Sequence, residues 1–109
     1  MNTAKYAIDV NHSGEKMLSG VVVVPDGNYE QVTIQLLGSG DAGILTVKPD
    51  RNGKFTIELD WSKQPASLWI YAYGYVSEKL WLHNQPDLKK LKVSLVKVKP
   101  TNSLPPKTE

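Results

Sequence analysis

Apolar and polar residues alternate along most of this chain with a period of two, the pattern of β-strands that bury one face. The clearest example is the stretch 54–59, where Phe55, Ile57 and Leu59 alternate with polar residues. It directly follows the sequence Asp-Arg-Asn-Gly at 50–53. These residue types favour tight turns, because Gly accepts a positive φ while Asp and Asn hydrogen-bond to the local backbone. The pattern predicts a turn that leads into a half-buried strand.

Further strand-like runs are separated by turn-forming residues at intervals of roughly eight to fifteen residues, close to the spacing of a sandwich or barrel. They predict strands at 6–10, 17–24, 32–36, 44–47, 68–73, 76–82 and 91–95. No amphipathic run of helical period is present, and the stretch 86–90, which begins with Pro, predicts at most a single helical turn. The sequence therefore predicts an all-β fold, an antiparallel β-sandwich of seven or eight strands.

Two runs of valine refine this prediction. The valines at 21–24 suit a strand that is buried on both faces or lies close to a partner strand. Val96 and Val98 continue the last strand with the opposite parity. An extra residue in one strand changes the parity of its side chains, so we expect a β-bulge near Leu95.

Length and composition limit the number of domains. A chain of 109 residues without cysteine is large enough to fold as one domain without disulfides. The stretch 100–109 contains three prolines and a single apolar residue, Leu104, and such a composition does not bury enough surface to offset its ordering entropy. We expect one domain over 1–99 and a flexible tail or linker over 100–109.

Charge and hydropathy exclude several classes of partner. The net charge is +2, and Arg51 is the single arginine beside twelve lysines. Phosphate and base recognition favour the planar arginine fork, so a nucleic-acid partner is not expected. No apolar run reaches the ~20 residues of a membrane helix, and the N-terminus lacks the apolar core of a secretion signal. The chain is either kept in the cytosol or is a mature or trimmed form.

Four stretches resemble, in their order along the chain, the carboxypeptidase regulatory-like domain, a transthyretin-like (prealbumin-like) β-sandwich of immunoglobulin-like type. They read LSGVVV at 18–23, VTIQL at 32–36, DRNGKF at 50–55 and LWIYAYGY at 68–75. The family shows a Gly-x-Val strand, an alternating strand, an Asp-x-x-Gly-x-Phe turn and a strand that ends in Gly-Tyr. The match covers roughly residues 18–98, and the run at 6–10 lies outside it.

This resemblance implies a non-catalytic accessory module, most often extracytoplasmic, that stabilises, spaces or binds. The enzymatic relatives of transthyretin, the hydroxyisourate hydrolases, carry a C-terminal Tyr-Arg-Gly-Ser together with several histidines and an arginine. This chain ends in Ser-Leu-Pro-Pro-Lys-Thr-Glu and has only His12 and His83. That activity is therefore not carried over, and we expect no enzyme and no cofactor.

The aromatic residues provide the candidate binding site. If Leu68 and Ile70 face the core, strand alternation turns Trp69, Tyr71 and Tyr73 to the opposite face. Trp61 and Trp81 lie nearby in sequence, and we include both in the site. Such rings stack on sugars or pack against a protein. The competing interpretation is that the 6–10 strand or the C-terminal tail covers this face.

Other candidates have simpler interpretations. The two histidines lack the convergent ligands that a metal needs, and Asp26, Asp50 and Asn52 lack the loop of a calcium site. We expect Glu58 and Asp60 to lie in solvent near the end of a strand. No nucleophile motif surrounds Ser62 or Ser67. The lysines near the C-terminus fit an edge strand protected against aggregation, with weak attraction to an acidic surface as the alternative.

The leading function is therefore a non-catalytic binding or accessory module that contacts a protein or a glycan through an aromatic strand face. The alternative is a structural or assembly subunit that associates with copies of itself or decorates a larger particle. A small hydrolase is a third hypothesis, which requires a convergent His, Asp and Ser cluster.

Overall fold

Seven strands form the framework of the protein. The structure, a computed structural model, describes residues 14–98. The strands are β1 (Met17–Val23), β2 (Thr33–Gly38), β3 (Gly43–Val47), β4 (Lys54–Glu58), β5 (Pro65–Tyr71), β6 (Glu78–Trp81) and β7 (Leu91–Ser94). Helical structure in this part of the chain is limited to single 3₁₀ turns at Tyr29–Gln31, Ser39–Asp41, Trp61–Lys63 and Leu82–Asn84. None of these turns is long enough to cross a membrane.

The strands form a three-stranded sheet of order β4-β1-β7 and a four-stranded sheet of order β3-β2-β5-β6. All pairs are antiparallel except β1 and β7, which run parallel from Gly20 opposite Leu91 to Val23 opposite Ser94. The expectation of a wholly antiparallel fold is therefore wrong at this pair. The reason is topological: the chain reaches β7 from β6 in the other sheet, and such a crossover allows parallel pairing whereas a hairpin does not.

A single apolar core lies between the two sheets. In β1, β2, β4, β5 and β7, alternate residues point into it, and most of them are buried. The largest fully buried side chains are Leu18, Ile34, Leu36, Ile57, Leu68, Ile70 and Leu88. In β1, Val22 is buried but Val23 is 37% exposed, so the valine run is buried on one face only. Its partners β4 and β7 lie on either side of it in the sheet.

The predicted turn before β4 is present, and it is bonded to β1 through the Val22 N–H, which donates to the carbonyl of Gly53 at 2.7 Å. The Asp50 carboxylate accepts hydrogen bonds from the backbone N–H groups of Asn52 at 2.8 Å and Lys54 at 2.9 Å. These bonds, that of Lys54 first, lower the pKa of Asp50. Gly53 has φ +82°, and a Cβ there would collide with the carbonyl oxygen of Val22. The turn therefore requires glycine both for its backbone conformation and for space.

The chain beyond β7 differs from the predicted bulge. β7 ends at Ser94, and its ladder with β1 has no register shift. The chain then turns to pair with the segment after β5, where Val76 N–H donates to Val96 at 2.8 Å and Val98 N–H donates to Gly74 at 2.9 Å. Leu91, Val93 and Leu95 are buried, whereas Val96 and Val98 are 60% and 52% exposed, so the two valines of opposite parity do not enter the core.

The stretch 86–90 also differs from its prediction. It contains no helical turn, and Lys90 N–H donates to the carbonyl of Asp87 at 3.3 Å in a simple turn. The predicted strand at 6–10, His12 and the predicted tail at 100–109 lie outside the described residues.

Candidate binding face

The outward side of the four-stranded sheet presents three rows of side chains across its strands. The first row contains Thr46, Gln35, Trp69 and Lys79, the second contains Leu37, Ser67 and Trp81, and the third contains Thr33 and Tyr71. Directly paired residues of a sheet point to the same side. Trp69, Tyr71 and Trp81 therefore share one surface, which we call the aromatic face.

Trp69 and Tyr71 form a contacting pair near the centre of this face. Their ring centroids are 4.8 Å apart, with the planes inclined by 39°, within the range of favourable aromatic contacts. Trp69 remains 38% exposed and Tyr71 is half-buried. Each ring is therefore held by its neighbour while part of its surface faces solvent.

Lys79 contacts both the Trp81 ring and the side chain of Asp41. Its ammonium lies 4.6 Å from the centroid of the Trp81 ring, a cation–π distance, and 2.7 Å from Oδ1 of Asp41. Asp41 belongs to the 3₁₀ turn between β2 and β3 and has φ +63°, a conformation that Asp tolerates better than most residues. Because Lys79 stands beside Trp69 on the outward side, the ion pair borders the aromatic face.

Ser67 is the most deeply buried member of the outward rows, beside Leu37, which is 7% exposed. Ser67 itself is 0% exposed because the larger Leu37 and Trp81 stand on either side of it in the sheet. Its hydroxyl makes no hydrogen bond within the described part of the chain. Among residues 14–98, no base is therefore positioned to activate this serine.

Two residues that the sequence placed in the site lie elsewhere. β5 ends at Tyr71, and Tyr73 occupies the turn closed by the Tyr75 N–H bond to Ala72 at 3.1 Å, where it is 91% exposed. Trp61 packs against the core, and its indole N–H donates to the carbonyl of Glu15 at 2.6 Å. The structure thus brings Trp69, Tyr71 and Trp81 together without Tyr73 and Trp61.

The remaining polar candidates have local structural roles. The Asp60 carboxylate accepts hydrogen bonds from the hydroxyl of Ser62 at 2.5 Å and from its N–H at 3.0 Å, and the hydroxyl is the larger cause of the lowered pKa of Asp60. Asp60 therefore caps the 3₁₀ turn that follows β4. No cluster of three or more potential metal ligands occurs among residues 14–98.

Asp26 likewise serves a turn. Its carboxylate accepts a hydrogen bond from the N–H of Asn28 at 2.9 Å, and this bond is the main cause of its lowered pKa. Burial, and then the neighbouring Asp26, raise the pKa of Tyr75. The hydroxyl of Tyr75 makes no hydrogen bond to the residues that the structure describes.

A cleft of about 590 Å³ lies between the loops that precede β2 and follow β3, and its lining contains none of Trp69, Tyr71 and Trp81. It is lined by Gly27, Asn28, Tyr29, Glu30, Lys48, Pro49, Asp50 and Arg51. Within it, Lys48 already donates to the carbonyl of Glu30 at 2.9 Å, and Asp50 stabilises its own turn. The cleft offers Arg51 as a cation but no convergent catalytic set.

Sequence reasoning missed the ion pair at the border of the aromatic face. Lys79 lies two residues before Trp81, so strand alternation could have placed both on one side. Asp41 carried no such signal, because its position depends on the conformation of the loop between β2 and β3.

A comparison with known protein families and with curated protein sequences finds no match to this chain.

Proposed function

We propose that this protein is a non-catalytic binding module with a transthyretin-like sandwich, and that the aromatic face contacts a protein or a glycan. The observation that carries the proposal is the exposed Trp69–Tyr71 pair in the middle of an outward sheet face. Large aromatic side chains are usually packed inside, and their display in a group is typical of contact surfaces. Trp and Tyr are also the residue types that dominate binding energy at interfaces.

The proposal is tested by comparing the native protein with the double variant Trp69→Ala/Tyr71→Ala. Both are immobilised and exposed to arrayed glycans and to protein extracts, and retained material is quantified. We expect the native protein to retain at least one component that the double variant loses, while both show the same cooperative unfolding. If the double variant retained everything that the native protein retains, the aromatic face would have no binding role.

A second candidate, self-assembly, is favoured by the edge strand β3. Edge strands usually carry charges that discourage pairing with other chains, and β4, β6 and β7 each contain Lys or Glu. β3 reads Gly-Ile-Leu-Thr-Val, and Leu45 within it is 43% exposed. Such an edge is suited to pairing with the same strand of another copy.

Light scattering across a range of protein concentrations separates the two functions. A binding module remains a monomer, whereas an assembly subunit forms a defined oligomer. In the second case Leu45→Lys would return the protein to the monomer, and Thr56→Lys on the outward face of β4 would serve as the matched control.

A further inference from the structure

The composition of the aromatic face indicates what kind of ligand it fits. Building on the function proposed above, we propose that it is a subsite for an uncharged sugar, in which Trp69 and Tyr71 stack on a pyranose ring and the Lys79–Asp41 pair binds its hydroxyl groups.

The exposed apolar area favours a small ligand over a protein. Trp69 is 38% exposed and Trp81 41%. For side chains of ~150–250 Å², these fractions correspond to roughly 60–100 Å² each. The half-buried Tyr71 adds less, so the three rings together display less than roughly 300 Å². A stable protein interface buries about 800 Å² on each partner. The exposed area of the three rings is therefore smaller than the contact area of a stable protein interface, and it suits a small ligand.

The groups that border the rings suit sugar hydroxyls. A hydroxyl both donates and accepts hydrogen bonds, a carboxylate only accepts and an ammonium only donates. Lys79 and Asp41 place one donor and one acceptor 2.7 Å apart beside Trp69. The Asp41 side chain is 61% exposed and the Lys79 side chain 34%, so solvent-facing ligand groups reach both. Neighbouring hydroxyls of one pyranose would match this arrangement.

The charge of the face favours an uncharged sugar over an acidic one. In the paired outward rows of the described four-stranded sheet, Lys79 is the one charged residue. Its ammonium is neutralised by Asp41 and lies against the Trp81 ring. The other polar members, Thr33, Gln35 and Thr46, are neutral. An anionic ligand would find no free cation here, and it would compete with Asp41 for Lys79.

The test is a titration of the full chain, followed by tryptophan fluorescence and calorimetry. The probes are neutral oligosaccharides of glucose, xylose, mannose, galactose and N-acetylglucosamine, with an oligogalacturonate as the acidic comparison. At ~10 mM probe, a site with a Kd of ~1 mM is mostly occupied. We expect binding of at least one neutral probe, a loss of about tenfold or more in affinity for Trp69→Ala, and unchanged affinity for Tyr73→Ala.

Lys79→Met is a second variant that keeps the apolar stem and removes the ammonium. We expect it to weaken the same probe about three- to tenfold, which tests the site even if Trp69→Ala folds poorly. The proposal is overturned if no neutral probe binds, if the oligogalacturonate binds more tightly, or if Lys79→Met and Trp69→Ala both bind as the native chain does.

Failure of the sugar proposal is distinguishable from failure of the proposed function. If no neutral probe binds but a protein component is lost specifically from Trp69→Ala/Tyr71→Ala, the sugar proposal falls and the binding face remains. If no retained component of any kind depends on these two residues, both fall.

Discussion

The two sheets follow the same rule of alternation on their inner faces but differ on their outer ones. The outward positions of the three-stranded sheet carry polar and charged residues together with three aliphatic ones: Ser19, Lys54, Thr56, Glu58, Lys92 and Ser94, with Met17, Val21 and Val23. The corresponding rows of the four-stranded sheet carry Trp69, Tyr71 and Trp81. The paired outward positions of the three-stranded sheet contain no aromatic ring, whereas those of the four-stranded sheet contain three of the nine aromatic residues of the chain.

This difference indicates which outward side chains the fold requires for stability and which it does not. The three-stranded sheet shows that the fold accepts Ser, Thr, Lys and Glu at outward positions. The core cluster consists of inward residues of both sheets and of loop residues such as Leu82 and Leu88. Trp69, Tyr71 and Trp81 do not belong to it. Cross-strand pairs on a face contribute only ~0.2–1 kcal/mol each. We infer that the aromatic face serves a contact rather than stability.

The largest expected effect is a difference in the free energy of unfolding between substitutions at two neighbouring residues of β5. Leu68→Ala removes a fully buried side chain and should reduce the free energy of unfolding by about 2–5 kcal/mol. Trp69→Ala should cost about 1 kcal/mol or less, because the ring is on the outer face. Urea unfolding measures both. An equally large cost for Trp69→Ala would indicate that another part of the chain covers this face as a second core.

The second largest effect is expected when the aromatic residues of the four-stranded sheet are replaced by residues of the kind found on the three-stranded sheet. Trp69→Thr/Tyr71→Thr gives the four-stranded sheet the composition of its counterpart while keeping residues of high β-propensity. We expect binding to fall about tenfold to a hundredfold and the urea midpoint to change little. Retained binding would place the site elsewhere on the molecule.

A smaller effect distinguishes the observed face from the longer row predicted by the sequence. Tyr71→Ala should weaken binding, because Tyr71 contacts Trp69. Tyr73→Ala should not, because Tyr73 stands in a turn beyond the strand. Parallel titrations of the two variants give the answer, and equal losses would mean that the contact surface extends around the end of β5.

The ion pair beside the rings should matter little for folding. Both partners are partly exposed, and such pairs contribute about 0–1 kcal/mol. Asp41→Asn should therefore leave the free energy of unfolding nearly unchanged while weakening sugar binding. Salt titration of the unfolding midpoint provides a check, and a large destabilisation would show that the pair holds the β2–β3 loop in place.

The smallest effect belongs to the turn that supports the three-stranded sheet. The folded protein lowers the pKa of Asp50, so its contribution to stability is complete above the unfolded value of about 3.9 and is lost as the pH falls through the lower folded value. The difference in unfolding free energy between the native chain and Asp50→Ala should narrow below about pH 4. Binding by the aromatic face should not differ between these two proteins at neutral pH.

Much of the fold was predictable because burial and alternation are local. Phe55, Ile57 and Leu59 were predicted as one buried face and are buried, and the turn at 50–53 was predicted from its residue types. The parallel position of β7 was not predictable, because it depends on the path of the chain between the sheets. Neither was the end of β5 before Tyr73, since the alternation continues through 73 although the ladder ends at Tyr71.

The candidate site was likewise predictable where it depends on alternation within one strand, and not where it depends on loops. Alternation identified Trp69 and Tyr71, which lie in one strand. Trp61 was included for its proximity in sequence, and the structure shows it packed against the core. Trp61 follows β4 at the end of the fold and is fixed by its hydrogen bond to Glu15. The position of Asp41 beside the aromatic face depends on the conformation of the β2–β3 loop, which a pattern of apolar and polar residues does not predict.

The most direct test uses the three indole N–H signals of the protein in a two-dimensional NMR titration. Trp69 and Trp81 lie on the aromatic face, while Trp61 donates its indole N–H to Glu15 and serves as an internal reference. On addition of a retained ligand, the account predicts that the Trp69 signal shifts most, that Trp81 follows and that Trp61 stays in place. A titration in which Trp61 moves while Trp69 does not would contradict it.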